Sequence, residues 1–463
     1  MTDPFDDVVG YLATTQRSVC LTAAAGCGKT EAIVRAVAQS EGKQLVLTHT
    51  NAGVAALRSR LHRYSVSESK CHVETIASWL LKYVIAYPSM SGLANLHPVE
   101  ADWGLVYPAA QRLFICPFVK DVLRASYAGI FVDEYQDCTR QQHQIILKIC
   151  EYGLPVRVLG DPLQGIFGFQ SDPLVEWRTD VEARFEPLPE LLIPYRWKQT
   201  VNHPYTNPSL GEQLVDVRKK LLAWERVKLD DYSEIKWQQW SDLQEQAACK
   251  MVRSGTIAGI HQWPLDAHAT ARRMAGEYQS IEEMDCKELM KASHQIDMQL
   301  KRGNYQAIVN CLKSLILKGC GNQSLFNDAH YLQSEFSRLE RGDLSAIIVI
   351  METIILDRHA QVFRRELLIE LKRAAQEFAT GQYASLEEAA YIARYKTRVN
   401  GRKPEARIIS RTLLIKGLEF DHALILNADK LQNRENFYVA ITRGSKSLTV
   451  LSSLPAIHYP QPS

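Results

Sequence analysis

The sequence offers almost no net charge to a partner. Its 54 Lys and Arg against 52 Asp and Glu leave +2 over 463 residues. No globally basic surface exists to hold a polyanion, so any nucleic-acid contact must come from a local groove. A cysteine framework is missing too. The ten cysteines form no CxxC and no Cys/His cluster with metal-ligand spacing, and they read as reduced, mostly buried thiols. Long apolar runs are absent: the longest, Leu344 to Leu356, is too short to span a bilayer and contains Glu352. The opening MTDPFDD lacks the charged-then-apolar pattern of a secretory leader. There is no internal repeat and no low-complexity tract. These absences point to a cytoplasmic chain with no membrane partner.

What is present is material for cores. Hydrophobic residues make up 46% and charged residues 23%, which excludes a disordered or collagenous chain, and the length suits roughly two to four domains. Over the first 200 residues, short β-branched runs alternate with helical stretches. The runs are Ser18–Ala23, Gln44–Thr48, Gly129–Asp133 and Val156–Gly160. Most end in polar or glycine-rich residues, the pattern of a doubly wound parallel α/β sheet with ligands at the strand C-termini.

Between Ser89 and Pro108 the pattern dissolves, which suggests a small insertion at about 80–128. A further strand is expected at Thr256–His261, and residues 265–400 read as mainly helical. There Phe363, Leu367, Leu371, Ala374 and Phe378 share one helix face, as do Ile308, Leu312 and Leu315, which reads as core packing. Strands return at Arg407–Leu414, His422–Leu426 and Ser447–Leu451. The expected organisation is a first sheet domain over 1–200, the start of a second over 201–264, a helical insertion over 265–400, and the rest of the second domain over 401–463.

The chemistry is concentrated at two strand ends. Ala23-Ala24-Ala25-Gly26-Cys27-Gly28-Lys29-Thr30 follows a strand and opens a helix. Small residues let the backbone N–H groups of Ala25, Gly26, Cys27 and Gly28 fold round phosphates, and the helix N-terminus adds its dipole. Lys29 would reach the β- and γ-phosphates of ATP, and the Thr30 hydroxyl would hold Mg²⁺. The first position is Ala23, so the strictest phosphate-loop pattern is not met. The second strand end is Phe131-Val132-Asp133-Glu134-Tyr135-Gln136-Asp137. An apolar strand closing on two adjacent carboxylates suits an Mg²⁺-holding Asp133 and a water-orienting Glu134.

With these two segments the sequence resembles the UvrD/Rep-type superfamily-one DNA helicases, and further motifs follow in that family's order. Gly160–Phe169 is similar to the third motif; the resemblance implies that Gln164 senses the γ-phosphate and that Phe167 and Phe169 lie near bases. Pro194-Tyr195-Arg196-Trp197 resembles the fourth, which implies Tyr195 on adenine and Arg196 on the γ-phosphate. Thr412 and Lys416–Phe420 resemble the fifth, placing Gly417 and Glu419 at the nucleotide, and Tyr438–Arg443 resembles the sixth, making Arg443 an arginine finger. Thr48, Thr50, Asn51, Thr75 and Thr412 become strand-contacting residues.

The resemblance implies two RecA-like parallel-sheet P-loop NTPase domains with small helical insertions. Lys29 and Mg²⁺ would act from the first domain, Arg196 and Arg443 from the second. It also implies Mg-ATP hydrolysis at the domain interface, driving 3′→5′ tracking on single-stranded DNA and unwinding of duplexes with single-stranded tails.

Departures cluster near the DNA path: His49, Ala77, Gln170, Pro194 and Leu413 replace the family's usual residues, whereas most hydrolytic positions are intact. Trp79 reads as core, and the basic run Arg218-Lys219-Lys220 is explained equally by a solvated helix face. The compact size is also similar to helicase-like subunits of Gabija-type anti-phage systems. The alternative reading is therefore a nucleotide-sensing subunit that regulates a partner nuclease, such as an OLD-family nuclease, with little unwinding of its own.

Overall fold

The computed structural model describes residues 4–93, 103–167, 172–200, 205–252, 254–281, 287–316, 330–357, 362–400 and 406–461. The chain forms two compact units. The first comprises residues 1–227, 433–446 and 458–463, the second residues 228–432 and 447–457.

In the first unit, β1 (Val19–Thr22), β2 (Gln44–Thr48), β3 (Cys71–Thr75), β4 (Gly129–Val132), β5 (Val156–Gly160) and β6 (Glu186–Pro187) form one sheet in the order β3-β2-β4-β5-β1-β6. Every pairing is parallel. The four strands expected in this region are present, each within one residue of the anticipated ends. Alternation explains why both faces are covered. Leu45, Leu47, Ile130 and Val132 face a core with Trp79, Leu113, Leu123 and Ile149. Val46, Phe131 and Leu21 face the opposite core, with Phe5, Leu12, Ile33 and Leu57. Trp79 is core, as its position predicted. The segment read as a small insertion is helical at Pro88–Ser91, Trp103–Leu113 and Pro117–Ser126, and its Val106, Leu113 and Val119 complete a layer over the sheet.

Two further segments belong to this unit. Helix Pro208–Leu222 buries Leu210, Leu214, Val217 and Leu221, so the unit runs to residue 227 rather than ending at 200. Helix Arg434–Ile441 brings the sixth motif into the same unit. Arg196 and Arg443 therefore both lie in the unit of the phosphate loop, not in the second; local sequence patterns carry no information about such a return.

The sheet of the second unit has β7 (Ile235–Gln239), β8 (Ile257–His261), β9 (Gln279–Ser280), β10 (Arg407–Arg411), β11 (Phe420–Ile425) and β12 (Gly444–Ser452, of which residues 447–452 belong to this unit, paired with β7 through Leu448–Ser452), in the order β9-β10-β8-β11-β12-β7. Pairs β8–β10, β8–β11, β9–β10 and β12–β7 are parallel. Helix Pro264–Arg273 covers this sheet, with Ala267 and Ala271 packed beside Ile257, Ile409 and Leu424. The helical module thus begins at Lys287, not at 265.

Within the module, Ile308, Leu312, Leu367, Leu371 and Ala374 share one core, with Leu315 and Phe378 against it. Phe363 departs from the expected stripe: it precedes helix Arg365–Ala379 and packs into the sheet's own core. Among the described residues, no helix is long and apolar enough to cross a membrane.

Candidate nucleotide site

Parallel strands deliver their C-terminal loops to one edge of the sheet. After β1 the chain turns through Gly26 and Gly28, both left-handed with φ of 70° and 93°. Each also admits a close neighbour. A Cβ on Gly26 would stand 2.6 Å from the Trp197 ring, and one on Gly28 would stand 2.9 Å from the Phe5 ring. Helix Lys29–Gln39 starts immediately, with Gly28 as its N-cap. Two left-handed glycines thus lead into a helix N-terminus, an arrangement suited to an anion, while the Cys27 amide turns back to donate to Ala24 O at 3.1 Å. Lys29 Nζ donates to Ala23 O at 3.2 Å, and the Ala25 amide donates to Tyr438 Oη at 2.9 Å. Burial pushes the Cys27 thiol up to about 12, so it stays protonated and inert at neutral pH.

Two strands away, β4 ends at Asp133 and Glu134. Thr30 Oγ1 donates to Asp133 Oδ2 at 3.4 Å, and the Glu134 amide donates to Asp133 Oδ1 at 3.0 Å. Burial first, and then the charge of Glu134, push the Asp133 carboxyl upward. Glu134 has φ of 55°, a left-handed conformation that costs a non-glycine residue about 1 kcal/mol or more and turns the chain sharply off the strand. A hydroxyl beside a carboxylate is the oxygen-donor set that suits Mg²⁺, which takes much of its shell from phosphates and water. Among the described residues no three His, Cys, Asp or Glu side chains form a self-sufficient metal cage.

The loop after β5 ties the edge together. The Asp161 amide donates to Gln136 Oε1 at 2.9 Å, and Gln136 Nε2 donates to Glu134 Oε2 at 2.6 Å. Gln164 Nε2 donates to Asp161 Oδ2 at 3.0 Å. Arg218 Nε and Nη2 both reach Asp161 Oδ1 at 3.1 Å, and Nη1 meets Glu190 Oε1 at 2.7 Å. Burial alone would lower the Arg218 guanidinium, but Asp161, Tyr438 and Glu190 together hold it above its ordinary range. The solvated-face reading of Arg218 is overturned, because its side chain is 1% exposed.

The remaining predicted residues divide. Tyr195 stands edge-on to Phe5 with ring centroids 5.4 Å apart, close to Gly28. The Arg196 amide donates to Gly26 O at 3.1 Å and its Nη1 to Thr442 O at 2.8 Å. Arg443 is buried, with Nε donating to Val439 O at 2.8 Å and Nη2 to Thr442 Oγ1 at 2.9 Å.

Thr48 is buried at the end of β2. Thr50 and Thr75 are N-caps, accepting from the amides of Gly53 and Ser78, and Asn51 opens the helix that Thr50 caps. That role explains a threonine at both positions without nucleic acid. His49 Nε2 lies 3.5 Å from Cys138 Sγ. Phe167 is half-buried, and Phe169 lies outside the described residues. In the second unit, Thr412 is buried at the end of β10, Gly417 is left-handed with φ of 83°, and Glu419 is exposed.

Reasoning from sequence missed Phe5, Trp197, Tyr438, Asp161 and Arg218. Arg218 had a legible signal: it lies four residues after Leu214 and three before Leu221, on the apolar stripe of its helix.

Fold and site define an α/β protein with two parallel-sheet units, the first carrying a phosphate loop and an acidic strand end at one sheet edge. Residues 111–173, which include that acidic strand end, match the family model of the UvrD/REP helicase N-terminal domain. No curated relative matches the chain.

Among solved structures it is similar to a Pif1 helicase from Bacteroides in complex with ADP-AlF3 and single-stranded DNA. That likeness has 15% identity and a TM-score of 0.32, over 61% of this chain and 58% of that one. It is also similar to Pif1 helicase from Candida albicans, at 11% identity and a TM-score of 0.34, over 60% and 55%. The chain therefore spans less than two thirds of the length of the structures it matches.

Proposed function

We propose that this chain is an ATP-hydrolysing motor of the UvrD/Rep type that tracks along single-stranded DNA and opens duplexes with single-stranded tails. One observation carries the reading: the phosphate loop and the acidic strand end share one sheet edge, with Thr30 Oγ1 3.4 Å from Asp133 Oδ2.

In this reading the loop amides and Lys29 hold the β- and γ-phosphates. Thr30 and Asp133 hold Mg²⁺, which supplies charge neutralisation on the phosphate oxygens. Glu134 orients the attacking water and accepts its proton. Gln164 and Arg196 approach the γ-phosphate, and Arg443 supplies further positive charge as the γ-phosphoryl group transfers. Tyr195 lies against the adenine. Thr48, Thr50, Asn51, Thr75, Phe167, Phe169 and Thr412 contact the strand, and movement runs 3′→5′.

A second reading draws support from His49, whose imidazole lies against Cys138 within a segment assigned to strand contact. In that reading nucleotide state regulates a partner nuclease in anti-phage defence, and unwinding is slight.

Phosphate release with and without single-stranded DNA, together with strand displacement on 3′- and 5′-tailed duplexes, tests both. DNA-stimulated turnover with displacement of 3′-tailed substrates supports the motor. Turnover indifferent to DNA, with no displacement, overturns it in favour of the regulator, and no turnover under any condition removes both.

A further inference from the structure

Arg218 belongs to none of the motifs that carry the resemblance, yet it is one of the most buried cations of the first unit. Its side chain is 1% exposed against 0% for Asp161. Burying such a pair is weak evidence of a stabilising role, because desolvating both charges offsets their attraction and an apolar pair would fill the space as well. What Asp161 does next gives the pair its meaning.

Its Oδ1 is held by two nitrogens of Arg218 and by the Leu163 amide at 3.3 Å, which leaves Oδ2 to receive Gln164 Nε2 at 3.0 Å. Its backbone N–H holds Gln136 Oε1, and that fixes which end of the amide meets Glu134 Oε2. Glu190 Oε1 anchors the far side of the guanidinium at 2.7 Å. A carboxylate torsion is broad and two-fold when nothing braces it. A planar fork with two nitrogens on one oxygen and a third on another carboxylate removes that freedom. The guanidinium thus stands at the head of a chain of hydrogen bonds that runs through the carboxylate to Gln164, while the link to Glu134 leaves from the main chain of the same Asp161.

We propose that Arg218 is a positioning residue for γ-phosphate recognition, setting Gln164 through the Asp161 carboxylate, so that the site distinguishes a nucleoside triphosphate from a diphosphate. This inference rests on the nucleotide reading above and adds to it a residue outside every motif.

The test compares three full-length variants with the parent. Arg218→Gln removes the charge, Arg218→Lys keeps it without the fork, and the double variant Arg218→Met/Asp161→Asn removes both buried charges and so avoids stranding either. Calorimetric titration with ADP and with a non-hydrolysable ATP analogue, each with Mg²⁺, is read beside kcat and KM for ATP and the urea midpoint.

In Arg218→Gln and in the double variant, ADP affinity stays within about twofold while triphosphate preference and kcat fall about 10- to 100-fold, as for other residues that orient a contacting group. Arg218→Lys recovers part of both. A cooperatively folded variant that retains the parent's triphosphate preference and kcat overturns the proposal. If the charge-removing variants do not fold, Glu190→Gln, which releases only the far side of the fork, is read the same way: a reduced preference supports the proposal, an unchanged one overturns it. A parent that binds neither nucleotide would instead remove the nucleotide reading itself.

Discussion

Tyr438 Oη accepts a 2.9 Å hydrogen bond from the Ala25 amide, joining the helix Arg434–Ile441 to the phosphate loop within one unit. The phenol is buried, and burial together with the nearby Asp161 raises it well above its ordinary range, so it is a neutral hydroxyl at any working pH. If Ala25 N–H is to face a phosphate, the hydroxyl must yield. Tyr438→Phe leaves that amide without this acceptor in the free protein, at about 1 kcal/mol, and a bound phosphate satisfies it again. The variant should therefore be slightly less stable without nucleotide and should bind ATP about fivefold more tightly. Urea titration and nucleotide titration check both signs; weaker binding would show that the tyrosine supports the loop rather than competing for it.

Lys29→Ala and Glu134→Gln should separate binding from chemistry. Lys29 lies at the mouth of the loop, and its loss should weaken nucleotide binding and abolish turnover. Glu134→Gln keeps the shape of the side chain but loses the proton acceptor, so nucleotide should still bind while phosphate release falls by about 10²-fold or more. Near-parental phosphate release in Glu134→Gln would remove the role given to this residue.

Gly26 is constrained by φ of 70° and by two neighbours of any added Cβ, the Trp197 ring at 2.6 Å and Arg196 Cβ at 2.8 Å. Gly26→Ala should cost about 2–3 kcal/mol, part from the left-handed backbone and part from the clash. The ring's share is separable. In a double-mutant cycle with Trp197→Leu, the ring contact is relieved while the backbone cost and the Arg196 Cβ contact stay, giving a coupling of about 1 kcal/mol. A coupling near zero would assign the effect to backbone strain and the Arg196 Cβ contact rather than to the ring.

Much of this was legible in the sequence where the signal is local. Runs such as Gln44–Thr48 and Val156–Gly160 carry β-branched residues and end in threonine and glycine, and both are strands with those same limits. Cys71–Thr75 is also a strand, but His72 and Glu74 stand where Gln44–Thr48 has leucines, so it lacked an apolar run. Lys29, Thr30, Asp133 and Glu134 could be paired on one edge because strand order in a parallel sheet follows general rules. The limit came with contacts between residues distant in the chain. Nothing near Tyr438 indicates that it reaches Ala25, and nothing near Asp161 indicates that it pairs with Arg218. Which unit holds Arg443 is likewise decided by packing around helix Arg434–Ile441, not by its own residues.

His261, in the second unit, should make stability depend on pH. It is buried at the end of β8 with Nε2 3.0 Å from Thr270 Oγ1, and Thr270 in turn donates to Glu245 Oε2 at 3.1 Å. Burial lowers the imidazole to about 4, with Asp266 pulling the other way and Lys430 and Arg273 adding to the depression. In the unfolded chain its value is near 6.5. A base depressed on folding binds fewer protons in the folded state, so its contribution is intact above pH 6.5 and is lost progressively as pH falls towards 4. Between pH 6.5 and 5 the loss should reach about 2 kcal/mol. Urea midpoints of the parent at pH 7.5 and 5.0, compared with those of His261→Gln, isolate this group, since glutamine cannot titrate. The parent should lose more stability than the variant over that interval, and equal losses would mean that the imidazole is not the group that titrates.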